Sequence, residues 1–387
     1  MNTYTAHLVA AALLSSLTLA CGPTVVEDEV GSTGPDMSFD DFEAATYHEP
    51  WDDGVYIVNG DTPVEDEKML REIYDQLYSQ GELAVGSSGG VDIKWSSAQQ
   101  RNLTYCVSDT FGSRKAQVIE ALEVATEGGW ETVANVDFIH VASQDAACTS
   151  SNPNVVFDVR PVSGAPYLAR AFFPDQARAS RNVLVDSSAF GGSGWPLDGI
   201  LLHELGHALG FRHEHTRPEA GACFEDSAWR GLTPYDSSSV MHYPQCNGTG
   251  PDLTMSASDA AGAASLYGPP ASSNPDPDPD PEPQPTGTPQ TGSFSGQLTQ
   301  GQQQSFQPLS VAGGTLLEVS MTGTGDADLY VRFGSAPTFS QYDCRPYRSD
   351  ASESCTIDVP ASASQAHIMV HGYAAATFSL TARWVAP

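Results

Sequence analysis

Apolar and polar residues change rhythm several times along this chain of 387 residues, and each change suggests a boundary. Residues 8–20, LVAAALLSSLTLA, form an unbroken apolar run. The run is shorter than the roughly 20 residues a membrane-crossing helix needs. It lies near the first methionine and ends in small residues before Cys21, which fits an export signal over 1–21. A polar, acidic stretch without periodicity follows to about Pro50. Tyr56-Ile57-Val58 then predicts a short strand and Asn59-Gly60-Asp61 a turn. Residues 68–80 carry Met69, Leu70, Ile73, Tyr74 and Leu77 at helical spacing.

From about Gly86 strands and helices alternate. Short runs rich in branched and aromatic residues predict strands at 103–107, 136–141, 155–159, 167–173 and 182–186. Residues 115–133 carry Val118, Ile119, Leu122, Ala125 and Trp130 at roughly helical spacing. A second helix is expected to begin near Asp198, a suitable N-cap, with Leu201, Leu202, Leu205 and Leu209 toward the core. A closing helix is expected over 253–267, with Ser256 or Ser258 near its start. Repeated Pro-Asp over 269–292 reads as an extended linker. The tail, 293–387, has apolar runs at 316–319, 329–333, 355–359, 367–370 and 378–381, separated by turn residues, which predicts an all-β sandwich. The fold class is therefore α+β, with a mixed α/β body over 86–268 and a β-sandwich after it. An acidic tether over 22–85 precedes both.

The formal charge is −31, from 17 basic and 48 acidic residues. Nothing supplies the basic footprint of a nucleic-acid binder. Residues 22–100 hold 18 Asp and Glu against 3 Lys and Arg, a net of −15, which reads as a solvated segment. Cys21-Gly22 resembles a bacterial lipoprotein site, where the cysteine is acylated. Two departures stand against it: no Lys or Arg precedes the apolar run, and Thr18 stands where a leucine is usual. Plain secretion is the alternative. Setting Cys21 aside leaves six cysteines, an even number that favours disulfides in an exported chain. Six cysteines allow about 15 connectivities. Neighbour pairing, Cys106 with Cys148, Cys223 with Cys246 and Cys344 with Cys355, keeps each bond inside one expected module. Zinc-thiolate binding is the alternative, but no C-x-x-C spacing supports it.

Candidate chemistry concentrates in residues 198–215, DGILLHELGHALGFRHEH. His203 and His207 are four apart, so on a helix they share a face and can hold one zinc ion together. Glu204 lies beside the first and can act as general base toward a water on the metal. Gly210 can end the helix in a left-handed turn, letting the chain present His213 as third ligand. Three ligands with one open position is a catalytic rather than a structural zinc arrangement.

The run H-E-x-x-H-x-x-G-x-x-H resembles the metzincin metallopeptidases. Within them it is most similar to the astacin family, whose motif continues H-E-x-x-R as His213 to Arg217 do here. Ser239-Val240-Met241-His242-Tyr243 resembles the methionine turn of that family and its following tyrosine. The resemblance implies a zincin-type domain, with a twisted mixed sheet and two long helices, that hydrolyses peptide bonds of proteins. It implies Met241 as an apolar floor under the imidazoles, and Tyr243 as a switchable ligand and oxyanion partner. Plain core packing and a hydroxyl bonded elsewhere are the bland readings of those two residues. It implies that Glu214 pairs with a new N-terminus after prosegment removal, while Arg217 makes a structural ion pair. Val58-Asn59-Gly60-Asp61 resembles the prosegment motif F-x-G-D, so Asp61 would occupy the zinc in a latent proenzyme. A hairpin turn without metal contact is the alternative. YLARAFF at 167–173 is the candidate for the sheet edge that receives substrate, or else an internal strand. Glu214 and Tyr243 favour astacins over the matrixins, another metzincin branch.

The tail, with GTGDADLYVRFG, CRPY and HGY, resembles the pre-peptidase C-terminal domain of secreted bacterial proteases. Asp326 and Asp328 could bind calcium or cap a turn; His367 and His371 are taken as structural. A surface binding protein with a decayed zinc site is the competing class. The presence of Glu204 with every ligand weighs against it.

Overall fold

The computed structural model describes residues 39–270 and 287–387, apart from 52–53, 77–84, 89–90, 192–193, 226–228 and 251. The expected export signal, Cys21 and most of the linker lie outside the described residues.

The body is mixed α/β. Its main sheet has the order Phe138–His140, Leu103–Val107, Phe157–Val162, Asn182–Asp186, Ala169–Arg170. The first four strands run parallel, and Ala169–Arg170 pairs antiparallel at the edge. YLARAFF therefore sits at an edge, but only two of its residues pair as strand. Pro166 and Pro174 flank it, and proline cannot donate to a ladder. The helices Lys115–Thr126 and Leu197–Ala208 pack on the sheet. The buried faces of both belong to a core that also takes Val107, Phe157 and Val185 from the strands. The Trp130 indole donates to the Leu202 carbonyl at 2.8 Å and ties the end of one helix to the other.

The second helix begins at Leu197, with Pro196 as N-cap and no side-chain cap bond. Asp198 is thus not the cap expected. Pro196 already presents the extended conformation that a cap needs, and Asp198 lies in the first turn, where a negative charge suits the helix dipole. The closing helix is Ala257–Tyr267, with a capping box between Ser256 and Asp259.

The tail is a sandwich of two antiparallel sheets. One has the order Thr288–Leu298, Ala376–Ala386, Leu316–Thr324, Glu353–Asp358. In the other, Gln365–Gly372 pairs with Gln303–Ser305, Leu309–Ser310 and Ala327–Phe333. The first strand starts at Thr288, inside the stretch expected as linker. It is largely polar and its outer positions are exposed, so it carries little apolar rhythm.

Ahead of the body, residues 39–76 form a small unit. The helix Phe39–Ala45 and the helix Glu67–Gln76 flank a three-stranded sheet of Tyr47–His48, Tyr56–Val58 and Thr62–Val64. Phe39, Val58, Val64 and Leu70 form its own core. The main cores of the body and of the sandwich contain no residue from 39–76, but a smaller buried cluster joins Val55 and Ile57 of this unit to Tyr167 and Leu184 of the body. Val85 belongs to the body's core. The three neighbour disulfides are formed, Cys106–Cys148, Cys223–Cys246 and Cys344–Cys355.

Candidate metal centre

His203 and His207 stand on the helix Leu197–Ala208, one turn apart and both buried. Gly210 follows with φ 94°, and a Cβ there would lie 2.0 Å from the Ile93 carbonyl oxygen. Only glycine fits this turn, which swings the chain back so that His213, with no exposure at all, joins the pair.

The outer nitrogen of each ring is engaged. Nδ1 of His203 lies 2.7 Å from the Val240 carbonyl, Nδ1 of His207 2.8 Å from the Phe211 carbonyl, and Nδ1 of His213 2.5 Å from Glu225 Oε1. A carbonyl or carboxylate can only accept, so each Nδ1 carries a proton, and in a neutral ring the lone pair is then on the Nε2 that faces its neighbours. Nε2 of His213 is 3.2 Å from Nε2 of both His203 and His207. With all three rings neutral these would be lone pairs pressed together, an arrangement that a shared cation relieves. Burial lowers the proton affinity of His213, but Glu225 and Asp61 outweigh it and lift its pKa to about 10, so a proton on His213 can also bridge these contacts.

Asp61 supplies a fourth corner. Its carboxylate oxygens lie 3.2 Å from Nε2 of His213, 3.6 Å from that of His203 and 3.7 Å from that of His207. Ligand bonds of about 2.0–2.1 Å in a tetrahedron give edges of about 3.3 Å, close to these separations. Asp61 Oδ1 is buried without a hydrogen-bond partner among the described residues. Three imidazole nitrogens and one orphaned carboxylate oxygen are a donor set that suits zinc. The hairpin turn expected at this motif is present, and it places the Asp61 carboxylate beside the three histidines. Asp61 follows a tight hairpin tip in which Asn59 has φ 54° and Gly60 φ 100°, with Val58 paired to Thr62.

The Tyr243 hydroxyl donates to Asp61 Oδ2, and its ring lies 4.5 Å from that of His213 and 5.4 Å from that of His203, centroid to centroid. Burial, reinforced by Asp61 and Glu204, pushes this hydroxyl well above its ordinary pKa. Glu204 is buried beside the cluster, its Oε2 unpartnered among the described residues. Burial, then the charge of Asp61, raise its carboxyl well above the usual range. Gly60, Asp61, Tyr167, His203, Glu204 and Tyr243 line one cleft. Met241 lies beneath the helix, and a Cβ on Gly206 would fall 2.4 Å from its sulfur. Gly206 is what allows the floor to approach so closely.

Glu225 was not foreseen from sequence. It lies within the loop closed by Cys223–Cys246 and binds the rings of both His213 and His215, the latter at 3.1 Å. Burial alone would raise its carboxyl, but His213, His215 and Arg212 hold it well below the usual range. No periodicity marks such a residue; only its place beside a cysteine in an otherwise irregular segment sets it apart. Glu214 pairs with Arg217 at 3.2 Å and accepts from the Asp236 amide at 2.9 Å. A buried pair was also unforeseen. Arg170, on the edge strand, forms a two-pronged contact with Glu49 at 2.8 and 2.6 Å, and the Tyr167 hydroxyl donates to the same carboxylate.

Residues 94–220 match the family model described as matrixin. The chain carries a matrixin-type metallopeptidase domain. The match takes in the three histidines and Glu204 and ends before Glu225, Met241 and Tyr243. Residues 308–372 match the bacterial pre-peptidase C-terminal domain. Among curated relatives, the peptidase-bearing chain is similar to the zinc metalloprotease of Helicobacter pylori, 37% identical over 123 residues, 32% of this chain and 46% of that one. It is similar to the virulence metalloprotease of Vibrio anguillarum, 46% identical over 71 residues, 18% of this chain and 12% of that one. An astacin-like metalloendopeptidase of Coturnix japonica is 46% identical over 71 residues, 14% of this chain and 17% of that one. The chain thus spans less than half the length of each of these relatives.

Proposed function

We propose that this protein is a zinc-dependent endopeptidase, exported and made latent by residues 39–76, which act as a prosegment. One observation carries the reading: the Nε2 atoms of three histidines converge in the cleft where the buried Glu204 has an unpaired oxygen. His203, His207 and His213 would hold the zinc. When bound, the ion would supply Lewis-acid activation of a water molecule and of a peptide carbonyl. Glu204 accepts the proton of the attacking water and delivers it to the leaving amine nitrogen, so the peptide bond breaks with the proton balance closed. Its raised proton affinity suits it to hold that proton between the two steps. Glu225 keeps the His213 ring oriented through Nδ1. The Tyr243 hydroxyl, bonded to Asp61 while the prosegment is in place, is released with it and can donate to the developing oxyanion. The edge at Ala169–Arg170 is where an extended substrate peptide would pair.

Within the metzincins we favour an astacin-like enzyme. The contact of Tyr243 with Asp61 supports this, as does Glu214. Burial drives the Glu214 carboxyl up to about 8 despite Arg217, so a second cation, such as a new N-terminus, would be accommodated there. Three disulfides fit an oxidising compartment. Among the described residues no helix is long and apolar enough to cross a membrane. Acylation at Cys21 remains part of this proposal, as the sequence alone suggests it.

The test is casein hydrolysis by the chain from residue 85 onward. Chelation should abolish activity and zinc restore it. Glu204→Ala should lower kcat/KM by about 10³-fold or more while zinc content stays at one ion per chain. Activity that survives either treatment would overturn the assignment.

A further inference from the structure

Lys68, on the helix Glu67–Gln76, reaches across to the sandwich. Its Nζ lies 2.9 Å from Asp326 Oδ1 and 2.9 Å from the Arg348 carbonyl oxygen, and it also bonds Asp328 Oδ1. The same nitrogen sits 4.2 Å from the ring centroid of Tyr347 and 4.3 Å from that of Tyr373. Three acceptors match the three protons of a primary ammonium, and two aromatic faces cover it. A planar guanidinium would not match these three converging acceptors. The Lys68 side chain is only 5% exposed and that of Asp328 fully buried.

Every part of this pocket apart from Lys68 belongs to the sandwich, and the sandwich braces it. His371 Nδ1 lies 3.2 Å from Asp328 Oδ2. Arg345 stacks on the Tyr347 ring at 3.8 Å and pairs with Glu72. Glu353 accepts from the amides of Leu329 and Arg348, which fixes the carbonyl that Lys68 meets. Tyr347 holds φ 60°, a left-handed conformation rare for an aromatic residue and tolerated where the surroundings enforce it. Without Lys68, two carboxylates would face two rings with no counter-charge, an arrangement that favours taking up another cation. Calcium, one of the two readings the sequence left open for Asp326 and Asp328, fits poorly. It takes about six to eight oxygens, and half of this pocket is aromatic.

We propose that Asp326, Asp328, Tyr347, Tyr373 and the Arg348 carbonyl form a lysine-binding pocket, filled by Lys68 in the unprocessed chain and open to a lysine side chain of a protein substrate once the prosegment leaves. The second half rests on the latent-peptidase reading. Lys68 is seven residues from Asp61 at the metal centre, a span of at most about 25 Å of extended chain. A protein held here by one lysine therefore lies within reach of the cleft. The pocket would favour lysine-bearing substrates without dictating the residue at the cut bond.

Two measurements test this, neither of which depends on activity. In the full chain, Lys68→Ala leaves a cavity the size of propylammonium. Millimolar n-propylammonium should raise the melting temperature of this variant by several degrees and leave the wild type unmoved. Adding Tyr373→Ala, at a ring already 39% exposed, should remove most of that rise. No rise, an equal rise in the double variant, or a larger rise with calcium chloride would overturn the pocket. In the chain from residue 85 onward, Nα-acetyl-lysine N-methylamide should bind with a millimolar Kd, weakened at least fivefold by Tyr373→Ala. The Nε-acetylated analogue should not bind. Rescue in the first measurement without binding in the second would reduce the pocket to a prosegment clamp and overturn its role toward substrates. An inactive but ligand-binding protein would sink the peptidase reading and leave the pocket standing.

Discussion

The segment of residues 39–76, the proposed prosegment, touches the rest of the chain with opposite charges at two places. At the hairpin it sets a carboxylate, Asp61, among three imidazoles. At the helix it sets an ammonium, Lys68, among two carboxylates and two phenol rings. The hairpin end covers the cleft and is itself anchored, through the buried Glu49–Arg170 pair and the packing of Val55 and Ile57 on Tyr167 and Leu184. The helix end adds Arg345–Glu72 and Arg348–Glu65, contacts that hold the segment without touching the reacting groups. Both ends thus attach the segment, but only the hairpin end reaches the three histidines, so the proposed inhibition can be removed while attachment at the helix end stays measurable.

The largest effect is expected at the hairpin. Asp61→Ala in the unprocessed chain should raise casein hydrolysis by about 100-fold over unprocessed wild type, equivalent to ~2.7 kcal/mol. Unchanged latency would mean that bulk, not the carboxylate, closes the cleft. Next comes Glu49, whose pair with Arg170 is almost wholly buried, at 1% and 2% side-chain exposure. Glu49→Gln leaves the guanidinium without a counter-charge and should cost about 3–5 kcal/mol in urea unfolding of the unprocessed chain. A loss under 1 kcal/mol, on the order expected of an exposed pair, would show that the hairpin end is not anchored there. The smallest effect is expected at Arg71, which pairs with Glu67 on the outer face of the helix with 43% and 57% of the two side chains exposed. Its guanidinium also lies 3.6 Å from the Phe39 ring centroid, so Arg71→Ala should lower the same unfolding free energy by about 1 kcal/mol, making it the control for attachment through Lys68.

How much of this could be read from the sequence follows from the range of each interaction. His203, Glu204, His207, Gly210 and His213 were legible because one helix turn and one left-handed turn bring them together, and both are local. Neighbour pairing of the cysteines was legible for a similar reason. Glu225 was not, since its partner is fixed by how an irregular loop folds back. Lys68 gave no signal either: its carboxylate partners lie 258 and 260 residues away, in another module. Asp326 and Asp328 stood out as a pair of carboxylates, but sequence could not show which cation they meet. The strand Thr288–Leu298 was hidden because its polar, solvent-facing side masks the alternation that a strand usually shows.

The bond Cys223–Cys246 encloses Glu225, Met241 and Tyr243 in one loop. A single covalent closure therefore carries the group that orients the third imidazole, the sulfur beneath the helix and the hydroxyl above the cleft. Before this bond forms, the helix and the Gly210 turn would still bring the three histidines together, but Glu225 would not be braced against His213. Under the proposed function, metal should then be held more tightly after oxidation than before it.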